Sequence, residues 1–273
     1  MKRILISVDI EGVAGVYHPE QVRPGNPEYE RARRLMAAEA NAAIAGAFDG
    51  GADEVLVNDS HGGFRNMPPD LLDERAEVVQ GKPRYLGMVS GVELGVAGVY
   101  FVGYHARAQG RGILAHTINS FAFARILIGG REFGEAGIYG ALAGAYGAPV
   151  LMASGDDAFV AETRGLFPQA RWVQTKRATG ANSGVSLSPA RSCAAIREGA
   201  REAVALCGAV APFTLDGPVA VTLQTQTTAL ADLFCQWPAL ERSGGDEVRF
   251  TADGTEAAVR MLNCLSAMSS MLR

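Results

Sequence analysis

Short apolar runs alternate along the first 180 residues with alanine-rich stretches whose apolar positions recur at helical spacing. Each run is nearly continuous, as expected of a strand that is buried on both faces of a sheet. This rhythm predicts parallel βαβ units, and therefore an α/β fold with a largely parallel sheet sandwiched by helices. The predicted strands cover residues 4–8, 54–58, 98–103, 149–153 and 172–174.

Local start and stop signals mark the predicted helices. Asn26 is a candidate N-cap and Pro27 takes the first helical position, where a missing N–H costs nothing. Glycines at 50 and 51 are expected to end this helix. Ser188-Pro189 repeats the start signal and predicts a helix that runs to about residue 207.

The pattern changes in the later parts of the chain. Gly129-Gly130 predicts a hairpin turn between residues 125–128 and 131–133, and a helix is expected over 135–146. A strand, a helix, a strand and a helix are then predicted at residues 218–225, 228–234, 247–251 and 255–272. Because a glycine- and proline-containing stretch precedes them, we expect an α/β domain over residues 1–210 and a small C-terminal α+β unit over residues 211–273.

Composition and charge exclude several classes of protein. With 48% hydrophobic and 20% charged residues, the chain is neither a disordered nor a coiled-coil sequence. The 25 Lys and Arg residues against 29 Asp and Glu residues give a net charge of −4, so neither nucleic acid nor a membrane is an expected partner. An acid at position 9 interrupts the N-terminal apolar run, and the four cysteines are widely spaced, which predicts a cytoplasmic protein with free thiols.

Side chains that bind metals follow three of the predicted strands. Asp9 and Glu11 come after the first, Asp59 and His61 after the second, and His105 after the third. The carboxyl ends of parallel strands share one edge of a sheet, so these side chains are expected to be neighbours. A mixed set of imidazoles and carboxylates suits zinc, and an excess over four ligands suggests two metal ions.

Each of these residues also has a purely structural interpretation. A single Asp at a strand end commonly caps a helix or an Asx-turn, and a single His is commonly a hydrogen-bonded core or surface residue. The metal hypothesis therefore rests on the convergence of several such residues on one edge.

Several motifs, in order and at matching spacing, resemble the DppA family of zinc-dependent D-aminopeptidases. They are residues 7–15, the stretch 29–41, residues 54–61, residues 103–108, Gly134-Glu135 and residues 154–157. The resemblance covers about residues 4 to 190. It implies a metal-dependent aminopeptidase that hydrolyses short peptides with a free N-terminal D-amino acid, such as D-alanyl peptides. It also implies a higher-order homo-oligomer.

The resemblance implies a set of site residues as well. Two zinc ions per chain would be held at the positions of Asp9, Glu11, His61, His105 and Glu135. From spacing alone, Glu135 would be interpreted as a favourable partner of a helix dipole.

His116 matches the catalytic histidine of the family. It follows an arginine- and glycine-rich loop, residues 107–111, of a kind that can close over a site. A neutral imidazole there can transfer a proton as a general acid or base, and a nucleophilic role is equally open.

Three further residues are weaker candidates for substrate binding. Asp156 and Asp157 follow a predicted strand, where they either cap the next helix or bind the substrate's α-ammonium group. Lys176 either pairs with a substrate carboxylate or is an ordinary surface lysine.

Two other functions remain as alternatives. One is a metallo-amidohydrolase that acts on another small amine-bearing substrate. The other is a non-catalytic dipeptide-binding protein linked to transport, which would be expected to show gaps in the ligand set, whereas all six positions are filled here. A phosphate-ester hydrolase or nucleotide binder is disfavoured because the chain has no Walker glycine-lysine pattern.

Overall fold

The computed structural model describes residues 1–273 and contains twelve strands and six α-helices. The strands are β1 (Arg3–Val8), β2 (Glu54–Asp59), β3 (Glu77–Val79), β4 (Gly98–Tyr104), β5 (Phe123–Ile128), β6 (Arg131–Glu132), β7 (Val150–Asp156), β8 (Arg171–Gly180), β9 (Ser183–Ser186), β10 (Val219–Thr225), β11 (Glu241–Arg242) and β12 (Glu247–Ala252). The helices are α1 (Pro27–Asp49), α2 (Glu135–Ala145), α3 (Asp157–Thr163), α4 (Pro189–Ala203), α5 (Thr228–Phe234) and α6 (Thr255–Met268).

The first sheet has the order β3-β2-β1-β4-β7-β8-β9, and every pair in it is parallel except β8 with β9. Strands β1 and β4 are almost wholly buried, which is why their sequences are continuously apolar. Helices α1 and α4 pack together, with α1 held at its start by the predicted Asn26 cap. The predicted α/β fold is confirmed.

The second sheet is antiparallel and has the order β11-β12-β10-β5-β6. It contains the predicted hairpin, whose two turn glycines both have positive φ. However, β5 and β6 come from the first half of the chain, and β5 pairs with β10 on one side and β6 on the other. A boundary at 210/211 therefore does not separate the two sheets, and one apolar core joins Leu5 and Phe101 to Val221 and Leu262.

The helix ends and the edges of the sheets differ most from the sequence-based expectations. The helix expected to reach residue 207 ends at Ala203 and continues as a 3-10 turn, Val204–Leu206, and α6 ends in a similar turn. Strands β3, β9 and β11 were not predicted, since each is short and lies at a sheet edge. None of the helices is both long enough and apolar enough to cross a bilayer.

Candidate metal centre

Adjacent strands of the first sheet bring three of the predicted ligands together. Strand β1 lies between β2 and β4, so Asp9, His61 and His105 leave neighbouring strand ends. His61 Nδ1 lies 3.3 Å from one carboxylate oxygen of Asp9, and His105 Nε2 lies 3.4 Å from the other. Asp9 therefore stands between the two imidazoles, with one oxygen toward each.

Glu11 joins this cluster through a tight turn after β1. Its Oε2 atom lies 3.1 Å from His61 Nδ1. The next residue, Gly12, donates its N–H to the carbonyl of Gly103 at 2.7 Å, and a Cβ there would lie only 2.0 Å from the carbonyl oxygen of Tyr104. Only glycine permits this close approach of the two backbones, which places the Glu11 carboxylate beside His61.

Glu135 enters the cluster from the opposite side as the first residue of α2. Its Oε2 lies 3.3 Å from His105 Nε2, and its Oε1 accepts a hydrogen bond from the N–H of Ile118 at 2.6 Å. The side chain is buried against His105 rather than directed toward solvent at the helix start. A role limited to pairing with the helix dipole does not explain this position.

His116 lies directly against the cluster. Its ring stacks on that of His105 with centroids 4.2 Å apart and an interplanar angle of 11°, and its Nε2 lies 3.7 Å from Glu135 Oε1. The surrounding loop is strained, since Leu114 and Ile118 both have positive φ. Strain of this kind is concentrated at functional sites, where the surrounding structure must hold it in place.

The imidazole nitrogens are arranged as they are in metal-binding histidines. His61 Nε2 lies 2.8 Å from the carbonyl of Val22, and His105 Nδ1 lies 2.9 Å from the carbonyl of Ala106. A carbonyl oxygen only accepts, so these nitrogens carry protons, and the opposite nitrogens are the ones that can offer a lone pair to a cation. Such carbonyl partners orient ligating histidines.

A divalent cation fits the polar atoms at the centre of the cluster. His105 Nε2 is buried and has no hydrogen-bond partner, although two carboxylate oxygens lie within 3.4 Å. Ligand atoms of Asp9, Glu11 and His105 all lie within 4.8 Å of one another, and so do those of His105, His116 and Glu135. This mixture of nitrogen and oxygen donors is the kind that zinc prefers.

The pKa shifts have their cause in burial and crowding. Burial raises the pKa of Asp9, and the charge of Glu11 raises it further. Burial also opposes ionisation of Glu11, but His61 outweighs it and lowers the pKa of Glu11 well below its usual value. Burial disfavours the charged form of His105 too, yet Glu135 and Asp9 raise its pKa well above the usual value. The crowded carboxylates thus require positive charge beside them, which a cation supplies.

A cavity of about 1090 Å³ opens onto the cluster. Asp9, Glu11, His61, His116 and Glu135 line it, whereas His105 lies behind them. Its further walls include the segment around residues 82–85, α6 and the C-terminus. Sequence reasoning missed these walls, because nothing in the local pattern of either segment indicates a binding surface.

The three weaker candidates do not reach the cavity. Asp156 caps α3 by accepting from the N–H of Phe159 at 2.8 Å, and Asp157 accepts from the N–H of Ala178 at 2.7 Å. These contacts favour the capping interpretation for Asp156 and a contact between α3 and β8 for Asp157, and substrate binding by either residue stays an untested prediction.

Lys176 is neither a surface residue nor exposed to substrate. It is 3% exposed, and its Nζ donates hydrogen bonds to the carbonyl oxygens of Glu11 and Val16. Burial lowers its pKa to about 8. Glu39, also buried, accepts from the N–H of Ala14 in the same loop at 3.0 Å. The loop that carries Glu11 is therefore held by a buried lysine on its carbonyl groups and a buried glutamate on one amide.

Comparisons with known proteins identify the family of this chain. A family model described as D-aminopeptidase matches residues 1–264. The chain is 33% identical over 262 residues to a D-aminopeptidase of Bacillus subtilis (strain 168), a match that covers 95% of each chain. Its fold is similar to a solved structure described as "Zn-dependent D-aminopeptidase DppA from Bacillus subtilis, a self-compartmentalizing protease", with a TM-score of 0.94, 30% identity and 98% of both chains covered. The chain belongs to the D-aminopeptidase family.

Proposed function

We propose that the cluster holds two zinc ions per chain, with which the protein removes the N-terminal D-amino acid from short peptides such as D-alanyl dipeptides. The observation that carries this proposal is the buried Nε2 atom of His105. It has no hydrogen-bond partner and lies between carboxylate oxygens of Asp9 and Glu135, 3.4 and 3.3 Å away. A buried polar atom without a partner is costly, and a bound cation removes that cost.

The donors divide into two sets around Asp9. Glu11 and His61 lie on the side of one Asp9 oxygen, and His105 and Glu135 lie on the other side. Glu11 and His61 would hold one ion and His105 and Glu135 the other, and Asp9 lies between the two sets. This arrangement accounts for five ligands, one more than a single tetrahedral zinc ion takes.

Bound zinc supplies a Lewis acid and lowers the pKa of water at the site. The proton transfers fall to His116. Its Nδ1 lies 3.0 Å from the carbonyl oxygen of Leu114, which can only accept, so the proton of the neutral ring is on Nδ1. Nε2 then carries the lone pair, and because His116 lines the cavity it can take a proton from the attacking water and return it to the departing amine.

We also propose a higher-order homo-oligomer whose active sites face an enclosed space. The structural relative is described as self-compartmentalizing. Several large apolar side chains of this chain are exposed, including Tyr85, Leu94 and Met271. Clustered exposed apolar residues are a common mark of subunit interfaces, and Met271 and the adjacent Leu272 are both exposed.

A small panel of dipeptides on zinc-loaded protein tests the activity. We expect D-Ala-D-Ala to be cleaved and L-Ala-L-Ala to be cleaved at least about tenfold more slowly, since pocket contacts commonly discriminate by that factor or more. A chelator should abolish turnover, and added zinc should restore it. Equal turnover of both peptides would contradict the stereochemical assignment. Turnover that survives complete removal of metal would contradict the mechanism.

A further inference from the structure

The cavity wall carries an uneven distribution of charge. Its only side-chain carboxylates are those of the metal cluster, Asp9, Glu11 and Glu135. Every other side chain with a full charge on the wall is a cation. These are Arg23, Lys82, Arg84, Arg260 and Arg273. A ligand that fills the cavity therefore meets the metal centre at one end and positive charge elsewhere.

Three of these cations, Lys82, Arg84 and Arg273, form no ion pair with a carboxylate, and Lys82 is the one lysine among them. Arg23 pairs with Glu20 at 3.2 Å and Arg260 with Glu256 at 3.3 Å. Lys82, by contrast, is exposed, and partial burial of its stem and the nearby charge of Arg84 lower its pKa. The protein thus places two like charges together at the cavity and supplies no carboxylate of its own to Lys82.

The surroundings of Lys82 are held in place. Its Nζ lies 4.8 Å from the centroid of the Phe64 ring, and the guanidinium of Arg84 lies 3.8 Å from the same centroid. Arg84 donates hydrogen bonds to acceptors at the ends of β2 and β3, 2.6 to 3.2 Å away. The N–H of Phe64 donates to the carbonyl of His61 at 2.8 Å. This ring is therefore attached to the loop that carries a predicted metal ligand.

We propose that Lys82 binds the free α-carboxylate of the peptide substrate, and that Phe64 and Arg84 fix its position. The inference rests on the proposed function and extends it to the substrate's C-terminal end. Arg84 already donates three hydrogen bonds to protein acceptors, so it contributes mainly positive electrostatic potential to the cavity. Lys82 has three ammonium donors available for a charge-assisted hydrogen bond. The site then selects short peptides with a free C-terminus, because only these place a carboxylate within the cavity.

The test compares D-Ala-D-Ala with its C-terminal amide, which differs only in that charge. A hydrogen bond to a charged group predicts that wild-type protein favours the free acid by about 10- to 100-fold in kcat/KM. Lys82→Met should lose most of this preference, chiefly through a higher KM for the acid, and leave the amide unchanged. Lys82→Arg should retain the preference. Zinc content serves as the check of folding, and Lys2→Met, a lysine outside the cavity, should behave as wild type.

The outcomes separate the two proposals. If zinc-loaded wild-type protein cleaves both substrates equally well, or if Lys82→Met slows both by the same factor, Lys82 does not bind the carboxylate. If neither substrate is cleaved by the zinc-loaded wild type, the proposed function itself fails. A loss of preference in Lys82→Met with normal zinc content supports the assignment.

Discussion

At the scale of single residues, His105 and His116 lie ring against ring but have different surroundings. His105 Nε2 lies within 3.4 Å of two carboxylates and His105 does not line the cavity, whereas His116 does. We expect His116→Ala to lower turnover by about 10²- to 10⁴-fold and to retain zinc. His105→Ala should lose zinc first.

Turnover of D-Ala-D-Ala and zinc content, measured on the same preparations, distinguish these roles. Loss of zinc in His116→Ala would make His116 a sixth ligand. Full activity of that variant would show that the family's catalytic histidine has no counterpart at this position.

Lys176 supports the centre without lining the cavity. Its removal leaves the carbonyls of Glu11 and Val16 without their donor and the buried charge of Glu39 without its nearby cation. Breaking a buried charge arrangement by deleting one member costs about 3–5 kcal/mol. We expect Lys176→Met to lower the free energy of unfolding by that amount and to weaken zinc binding, measured by urea denaturation and zinc titration. Lys2→Met should change neither, and an unchanged urea midpoint in Lys176→Met would contradict the role assigned to Lys176.

Residue types and spacing were sufficient to identify most of the candidate site. Asp9, Glu11, His61 and His105 each follow a strand directly, so the topology of a parallel sheet brings them together. Lys176 was misinterpreted because sequence gives no indication that a lysine on β8 is buried. Contacts of that kind depend on how a distant loop folds back over the strand.

At the scale of elements, α1 and α4 approach closely through glycine. A Cβ on Gly46 would lie 2.2 Å from the backbone oxygen of Arg197. Alanine at position 46 would improve helix propensity by about 1 kcal/mol. Its Cβ would, however, overlap the backbone oxygen of Arg197, and backbone atoms cannot move aside as a flexible side chain can. We therefore expect Gly46→Ala to destabilise the fold by about 1–3 kcal/mol, the usual cost of overpacking.

Thermal unfolding of Gly46→Ala measures this effect. Ala45→Gly, at a less buried neighbouring position, should cost only the propensity difference of about 1 kcal/mol. A higher Tm for Gly46→Ala would show that α1 and α4 can move apart without cost and that their close contact does not stabilise the fold.

Elements with strong local signals were predicted within a few residues, including α1 with its cap and α5 with its full length. The segment between β4 and β5 was not predictable in this way. It has no regular structure, and the position of His116 is set by backbone conformation at Leu114 and Ile118 and by contact with Glu135. Periodicity contains no information about such a loop.

At the scale of the whole molecule, the second sheet combines strands that are far apart in sequence. Strand β5 pairs with β10, so Leu223 lies opposite Ile126. Sequence patterns predicted the strands but not this pairing, which crosses the domain boundary expected at residue 210. The same arrangement brings α6 to the cavity wall, where Asn263 and Ser266 line it.

The assembly is a separate prediction about the whole molecule. We expect sedimentation to show a single high-order oligomer at micromolar concentration, because exposed apolar side chains such as Tyr85 and Met271 need a partner surface. Tyr85→Glu, which places a charge on that surface, should shift the population toward smaller species. A clean monomer for the wild-type protein would contradict the proposed enclosure of the active sites.

In the proposed function, five protein ligands hold two zinc ions, and these ions are required for peptide hydrolysis. Metal-free protein titrated with zinc, with turnover of D-Ala-D-Ala recorded at each step, tests it most directly. We predict that activity rises until about two ions are bound per chain, as expected for a two-metal site with more than four ligands. Full activity in metal-free protein, or saturation at one bound ion with no further change, would contradict it.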